Sequence, residues 1–225
     1  MKDNEKSMKT PKKNDIPSYN LSFFRKILEA LKESFDANYV VSEIPQIFSQ
    51  IMRPKFIIRH DIHHSLRKGL KLAQIEKEYS IRASFMINIL SPHYNLKEKE
   101  NLSMIKEIID LGHEIGVYIH RNSLDFISPD KINLKEKEII TQCMHLETIT
   151  KKRIHSISFP KEYANIPENS FFISQKVSAS SKTMMDGALL DKRDFKNQKG
   201  ILSKIKNPNK KILQVLIQPE LWDED

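Results

Sequence analysis

The stretch Lys55 to Leu72, KFIIRHDIHHSLRKGLKL, constrains the fold most. Phe56 to His60 is a short, β-rich apolar run and reads as a fully buried strand. It runs into a polar corner holding Asp61, His63 and His64, and then into a helix that Ser65 can cap. A strand buried on both faces that feeds directly into a helix implies parallel neighbours under helical cover. In α/β folds of this kind, ligands bind at the carboxyl ends of the strands. One carboxylate and two imidazoles at such an end point to metal binding or acid–base chemistry.

The rest of the chain repeats the alternation. Met1 to Asn20 is polar, charged and broken by two prolines, and is expected to be a disordered tail. Residues 21–225 are expected to form one domain. Leu21, Phe24, Ile27, Leu28, Leu31 and Phe35 have the spacing of an amphipathic helix, with Asn20 or Ser22 as its cap. A helix to about Tyr79 is followed by a strand from Ile81 to Leu90 and a loop, Ser91-Pro92-His93-Tyr94-Asn95. A further helix stops at Leu111-Gly112, and a third strand runs to about His120. A long helix from Ile132 to Lys152 leads to strands at Ile154 to Phe159, Phe171 to Ile173 and Lys211 to Ile217. This order alone allows either a barrel or an open doubly wound sheet.

Composition narrows the chemistry. A lone cysteine, Cys143, excludes a disulfide framework and any cysteine-based zinc site; within a helix it reads as a buried, inert thiol. No apolar run approaches the ~20 residues of a membrane span, and the N-terminus lacks the apolar core of a signal peptide, so a cytoplasmic protein is expected. The net charge is +8, with eight cations between Lys192 and Lys211. That stretch suits an anionic glycan, a nucleotide-sugar or a membrane surface, or is simply a solvated face. Phe195 is the one aromatic residue among these cations, too few for base stacking, so nucleic acid is not an expected partner.

The segment RHDIHHSL, the strand motif IRASF and the later GHEIG together resemble the polysaccharide deacetylase (NodB-homology) family, in its Arg-His-Asp-Val-Asp branch. Arg59, His60, Asp61, Ser65, Leu66 and Ile81 to Phe85 fit that pattern, and the resemblance extends over about residues 20–222. It implies an α/β fold, a distorted (β/α) barrel. It also implies a general base, Asp61, beside a divalent metal such as zinc that polarises an acyl carbonyl. His63 stands where the family has its metal-binding aspartate. Tyr118 falls where the first metal histidine is expected, and Asn122 where the second is. His120 is the nearest imidazole, about 6.6 Å along the strand from Tyr118, so a relocated site of Asp61, His63 and His120 is the candidate metal centre. Asp61 has the plainer alternative of capping the turn that follows it. Tyr94 lies in a loop resembling one that covers the family's active site, and Asp186 and Gln218 match weaker or altered positions; these three and Tyr118 are the candidate binding residues. His60 and His113 are motif residues whose apolar neighbours suggest buried structural roles, and His64 reads as a surface residue. The family's His-Arg pair is missing after Ser158-Phe159, and with it the cation expected to orient the base.

Two functions follow from these readings. One is a divergent hydrolase acting on carbon–nitrogen, non-peptide bonds of acylated amino sugars or glycan precursors. The other is a catalytically inactive relative that binds a glycan or a partner protein through the same cleft.

Overall fold

The computed structural model describes residues 19–119, 132–160, 171–181, 184 and 197–224, with side chains of the long helix described from residue 136. The chain opens with β1 (Tyr19–Asn20) and helix α1 (Leu21–Ser34). Tyr19 and Asn20, expected in the tail, are thus part of the fold. Asn20 is the cap of α1, its Oδ1 accepting the Phe23 N–H at 3.0 Å. A short helix α2 (Ile44–Ile47) precedes β2 (Lys55–Ile62), which leads into α3 (Leu66–Glu78). Ser65 caps α3 through the Lys68 N–H. Then come β3 (Ser84–Ile87), α4 (Lys99–Asp110), β4 (Glu114–Tyr118), α5 (Ile132–Thr150) and β5 (Ser156–Ser158). The chain closes with β6 (Phe172–Ile173), β7 (Lys176–Ser178), α6 (Gln198–Lys206), β8 (Ile212–Ile217) and β9 (Trp222–Asp223).

β5 is shorter than the expected Ile154 to Phe159, and two further strands differ from the sequence expectation for local reasons. β3 is shorter than Ile81 to Leu90 because side chains take over the backbone at both ends. Asn38 Oδ1 accepts the Arg82 N–H, and Asn88 Oδ1 accepts the Leu90 N–H. β7 carries no sequence signal: it returns from β6 through Ser174 and Gln175, both left-handed (φ 48° and 62°). Hairpin turns of that handedness usually announce themselves with Asn-Gly or Asp-Gly, and here the chain uses Ser-Gln.

The strand order is β6-β7-β5-β4-β3-β2-β8, parallel throughout except for β6 against β7. From β2 to β7 the neighbours follow chain order without a reversal, and the last long strand returns beside the first. That is barrel winding, not a doubly wound sheet with a switch point. Side chains show how far the sheet curls. Ser158 Oγ on β5 donates to Asp61 Oδ1 on β2 at 3.2 Å. In a flat sheet those strands would be roughly 14 Å apart. Arg59 Nη1 on β2 and Gln214 Nε2 on β8 both donate to the carbonyl of Ala179, just past β7, at 3.0 and 3.2 Å. The seam between β7 and β8 is therefore bridged by side chains.

Strand alternation sorts residues into two cores. Facing inward, Ile57, Met86, Tyr118, Val177 and Ile212 pack with Val41 and Ile44 from the segment that plugs the barrel floor. Facing outward, Phe56, Ile58, Phe85, Ile87, Val117 and Val215 pack under the helices, with Phe24, Ile27, Leu28 and Leu31 of α1. Trp222 locks the ends together. Its strand pairs with β1, and its ring packs 5.3 Å from those of Tyr19 and Phe24. Cys143 is buried in α5, where desolvation pushes its thiol up to about 11.

The two glycines of GHEIG serve different ends. Gly112 takes φ 96° and terminates α4. Gly116 faces the barrel interior, where an added Cβ would lie 2.5 Å from Met86 Sδ and 2.7 Å from the Ser156 carbonyl. Replacing Gly116 with Ala is expected to cost on the order of 1–3 kcal/mol by overpacking, read as a lower urea midpoint at unchanged m-value.

His60 and His113 are buried, as expected; both lie on the outer side of the sheet and meet Glu76 of α3. His60 Nε2 is 2.7 Å from Glu76 Oε1, with both side chains fully buried. His113 accepts the Ala83 N–H at Nδ1 (3.1 Å) and donates from Nε2 to the Ala73 carbonyl (3.0 Å). Both ring nitrogens are satisfied by the neutral imidazole. Burial, opposed by the nearby Glu76 charge, holds the His113 pKa below its ordinary 6.5. A histidine depressed in the folded state leaves stability intact above the unfolded value and removes it as pH falls below that value. The urea midpoint should therefore decline as pH drops below 6.5. The decline should be shallower in His113→Asn once its own lower baseline is subtracted.

Candidate active site

The carboxyl end of β2 carries the candidate site. Arg59, Asp61 and, beyond the strand, His63 occupy alternate positions. Asp61 is buried and held from two sides: Arg59 Nη2 donates to Oδ2 at 3.1 Å and Ser158 Oγ to Oδ1 at 3.2 Å. The capping alternative for Asp61 is not what is observed; Ser65 caps α3. The side chains of Arg59 and Asp61 are 3% and 5% exposed, so this is a buried ion pair at the floor of the barrel mouth.

Above this pair, His63 and Tyr118 meet edge to face, ring centroids 4.3 Å apart at 89°. The two positions that the resemblance assigns to a metal site are here joined as an aromatic contact. The Ser91–Asn95 loop is tied over the end of β2. Ser91 Oγ donates to the His63 carbonyl at 2.7 Å, and Tyr94 OH lies 2.9 Å from the carbonyl oxygens of both Ile62 and Asn88. Burial raises the Tyr94 pKa, and its hydroxyl serves the loop's shape, with its oxygen turned to backbone. The loop also delivers His93 to His64, ring centroids 4.3 Å apart, and His64 Nδ1 lies 3.1 Å from Glu220 Oε1. Gln218 is half-buried just after β8, its carbonyl accepting the Leu221 N–H at 3.1 Å. His120, Asn122 and Asp186 lie outside the described residues.

The donor set that is described does not fit a divalent cation. Each oxygen of Asp61 already accepts a hydrogen bond, one from a guanidinium whose fixed positive charge opposes a metal beside it. His63 packs on a phenol ring, and among the described residues no group of three His, Cys, Asp or Glu side chains could hold a metal ion. A buried neutral ion pair forms the site's floor, two imidazoles and a phenol its wall, and Glu220 its rim.

Arg59, Ser158, His93 and Glu220 were not singled out by sequence reasoning. Arg59 was in view, two residues before Asp61 on one strand face, and that spacing alone places both side chains inward. Ser158 becomes a neighbour of the site only through the barrel's curl, and Glu220 through the turn that follows β8, the strand paired with β2.

No family model matches the chain, and no curated protein is significantly similar to it. Solved structures supply the likeness. The fold is that of the NodB-type polysaccharide deacetylases, a distorted α/β barrel. The peptidoglycan deacetylase PdaC from Bacillus subtilis superposes at TM-score 0.50 with 16% identity, over 75% of this chain and 76% of that one. A CE4 family pseudoenzyme from Bacillus anthracis gives 0.49 at 16% identity. It aligns over 75% of this chain, which spans only 56% of that protein's length. Deacetylase PplD of Streptococcus pyogenes gives 0.48 at 13% identity, over 89% and 84% of the two chains. At these identities the likeness establishes the fold.

Replacing Arg59 with Met should strand the Asp61 carboxylate and cost about 3–5 kcal/mol in urea unfolding. Adding Asp61→Leu to that variant should recover a large part of the loss, since the pair's burial cost disappears with it.

Proposed function

We propose that this is a deacetylase-fold protein that binds an N-acylated amino sugar or glycan precursor at the barrel mouth without hydrolysing it. The observation that carries this is the conversion of His63 and Tyr118 into an edge-to-face pair above an Asp61 engaged by Arg59 and Ser158. The walls that remain are aromatic and imidazole rings with polar tips, which suit the alternating CH and OH faces of a sugar. PdaC acts on peptidoglycan by its name, and that supports an acylated amino-sugar ligand here. A cytoplasmic location belongs to the proposal and favours a building block or nucleotide-linked sugar over finished cell wall.

A hydrolase acting on the carbon–nitrogen bond of the same ligand is the second reading. Its support is that Asp61 stands at the general-base position with a guanidinium orienting it. It requires a divalent metal, whose donor set would have to be completed by His120.

Purified protein is to be tested against N-acetylglucosamine oligomers and a nucleotide-linked N-acetylglucosamine, with and without added zinc or cobalt. Acetate release and binding are measured together. The expected outcome is saturable binding that survives Asp61→Asn, with acetate at background. Metal-dependent acetate release abolished by Asp61→Asn would replace the binding reading with the hydrolase. Neither binding nor release would remove both.

A further inference from the structure

The end of the barrel opposite the candidate site holds a second pocket. It has a volume of about 250 Å³. Val40, Ile109 and Ile115 line its apolar side, Arg82, Lys152 and Arg153 its cationic edge, and His155 lies beside them. We propose that this pocket binds the phosphate or pyrophosphate group of an anionic ligand.

The cations are presented by built structure. At the end of α5, Lys151 turns left-handed (φ 57°) and the chain leaves the helix axis. Thr150 Oγ1 accepts the Lys152 N–H at 3.3 Å, and Glu147 Oε1 accepts the Ile154 N–H at 2.9 Å. The turn is fixed at both ends and points Lys152 and Arg153 outward. Neither has a carboxylate within ion-pair distance among the described residues, and both are exposed. Across the pocket, the Arg82 guanidinium is set by both oxygens of Glu43 (2.9 and 2.8 Å), its backbone by Asn38.

One carboxylate, Glu114, also lines the pocket. Its Oε2 accepts from Ser84 Oγ at 2.5 Å and from the Ser42 N–H at 3.4 Å, which directs that oxygen toward the barrel floor. Arg82, Lys152 and Arg153 against Glu114 and the Glu43 that pairs Arg82 still leave the pocket net positive. The surrounding face adds to this. Parallel strands all begin at this end, and Arg53 before β2 and Lys210 and Lys211 before β8 are exposed there. The field at this end therefore favours an anion, and Arg153 and Lys152 supply free donors to hold it.

A free phosphate compound and a phospholipid headgroup share this chemistry, and two arms separate them. Calorimetric titration with pyrophosphate tests the first. Co-sedimentation with phosphatidylglycerol vesicles, against phosphatidylcholine vesicles, tests the second. The variant is Lys152→Gln/Arg153→Gln; the control, Lys97→Gln/Lys99→Gln, removes the same charge elsewhere on the surface. The expected result is binding in one arm, weakened at least ~10-fold in the first variant and less than ~2-fold in the control. Binding of pyrophosphate assigns the pocket to a soluble ligand; binding of anionic vesicles alone assigns it to a headgroup. Binding in neither arm, or equal loss in both variants, overturns the proposal.

Discussion

The Arg59 guanidinium governs this structure. It is nearly buried inside the barrel, with Asp61 on one side and the Ala179 carbonyl on the other. A buried charge costs several kcal/mol in lost hydration unless its partners are fixed in place. The partners here come from opposite ends of the curled sheet, β2 itself and the residue after β7, so satisfying Arg59 requires the curl. Gln214 donates to the same carbonyl from β8 and closes the seam that no ladder crosses. Once the curl is set, Ser158 falls beside Asp61, and the floor of the mouth is determined.

Strand alternation then divides each motif between two tasks. Arg59 and Asp61 face in and build the mouth; His60, between them, faces out and joins Glu76 and His113 beneath α3. In GHEIG, Gly116 faces in, where only a hydrogen fits between Met86 and Ser156, while His113 faces out and ties Ala73 to Ala83. Short motifs of this kind are dense because adjacent residues serve different cores.

Much of this was legible from the chain itself. Helix α1, the Ser65 cap, the Gly112 stop and the buried roles of His60 and His113 follow from spacing and local chemistry. Barrel closure does not, because alternation of strands and helices is common to open and closed sheets. The barrel was an implication of family resemblance until Ser158 and Asp61 were seen in contact. The family pattern carries its orienting cation after β5, whereas here the guanidinium beside Asp61 is that of Arg59 on β2. His93 and Glu220 are brought to the mouth by a loop and by the chain's last turn, and nothing in their local sequence encodes that meeting.

The charge balance of the two ends completes the argument. At the mouth, Arg59 cancels Asp61, and Glu220 sits against the His64 imidazole. A divalent cation held largely by oxygen ligands needs net negative charge to offset its lost water, and this floor offers none. A neutral ligand with many hydroxyls has no such requirement and can use the dipoles and ring faces that remain. At the opposite end, Lys152 and Arg153 are exposed and form no ion pair among the described residues, although Glu147 is near enough to feel the Arg153 charge. On the two proposals, the same barrel takes a sugar at one end and a phosphate group at the other. The difference traces to where its arginines find their carboxylates.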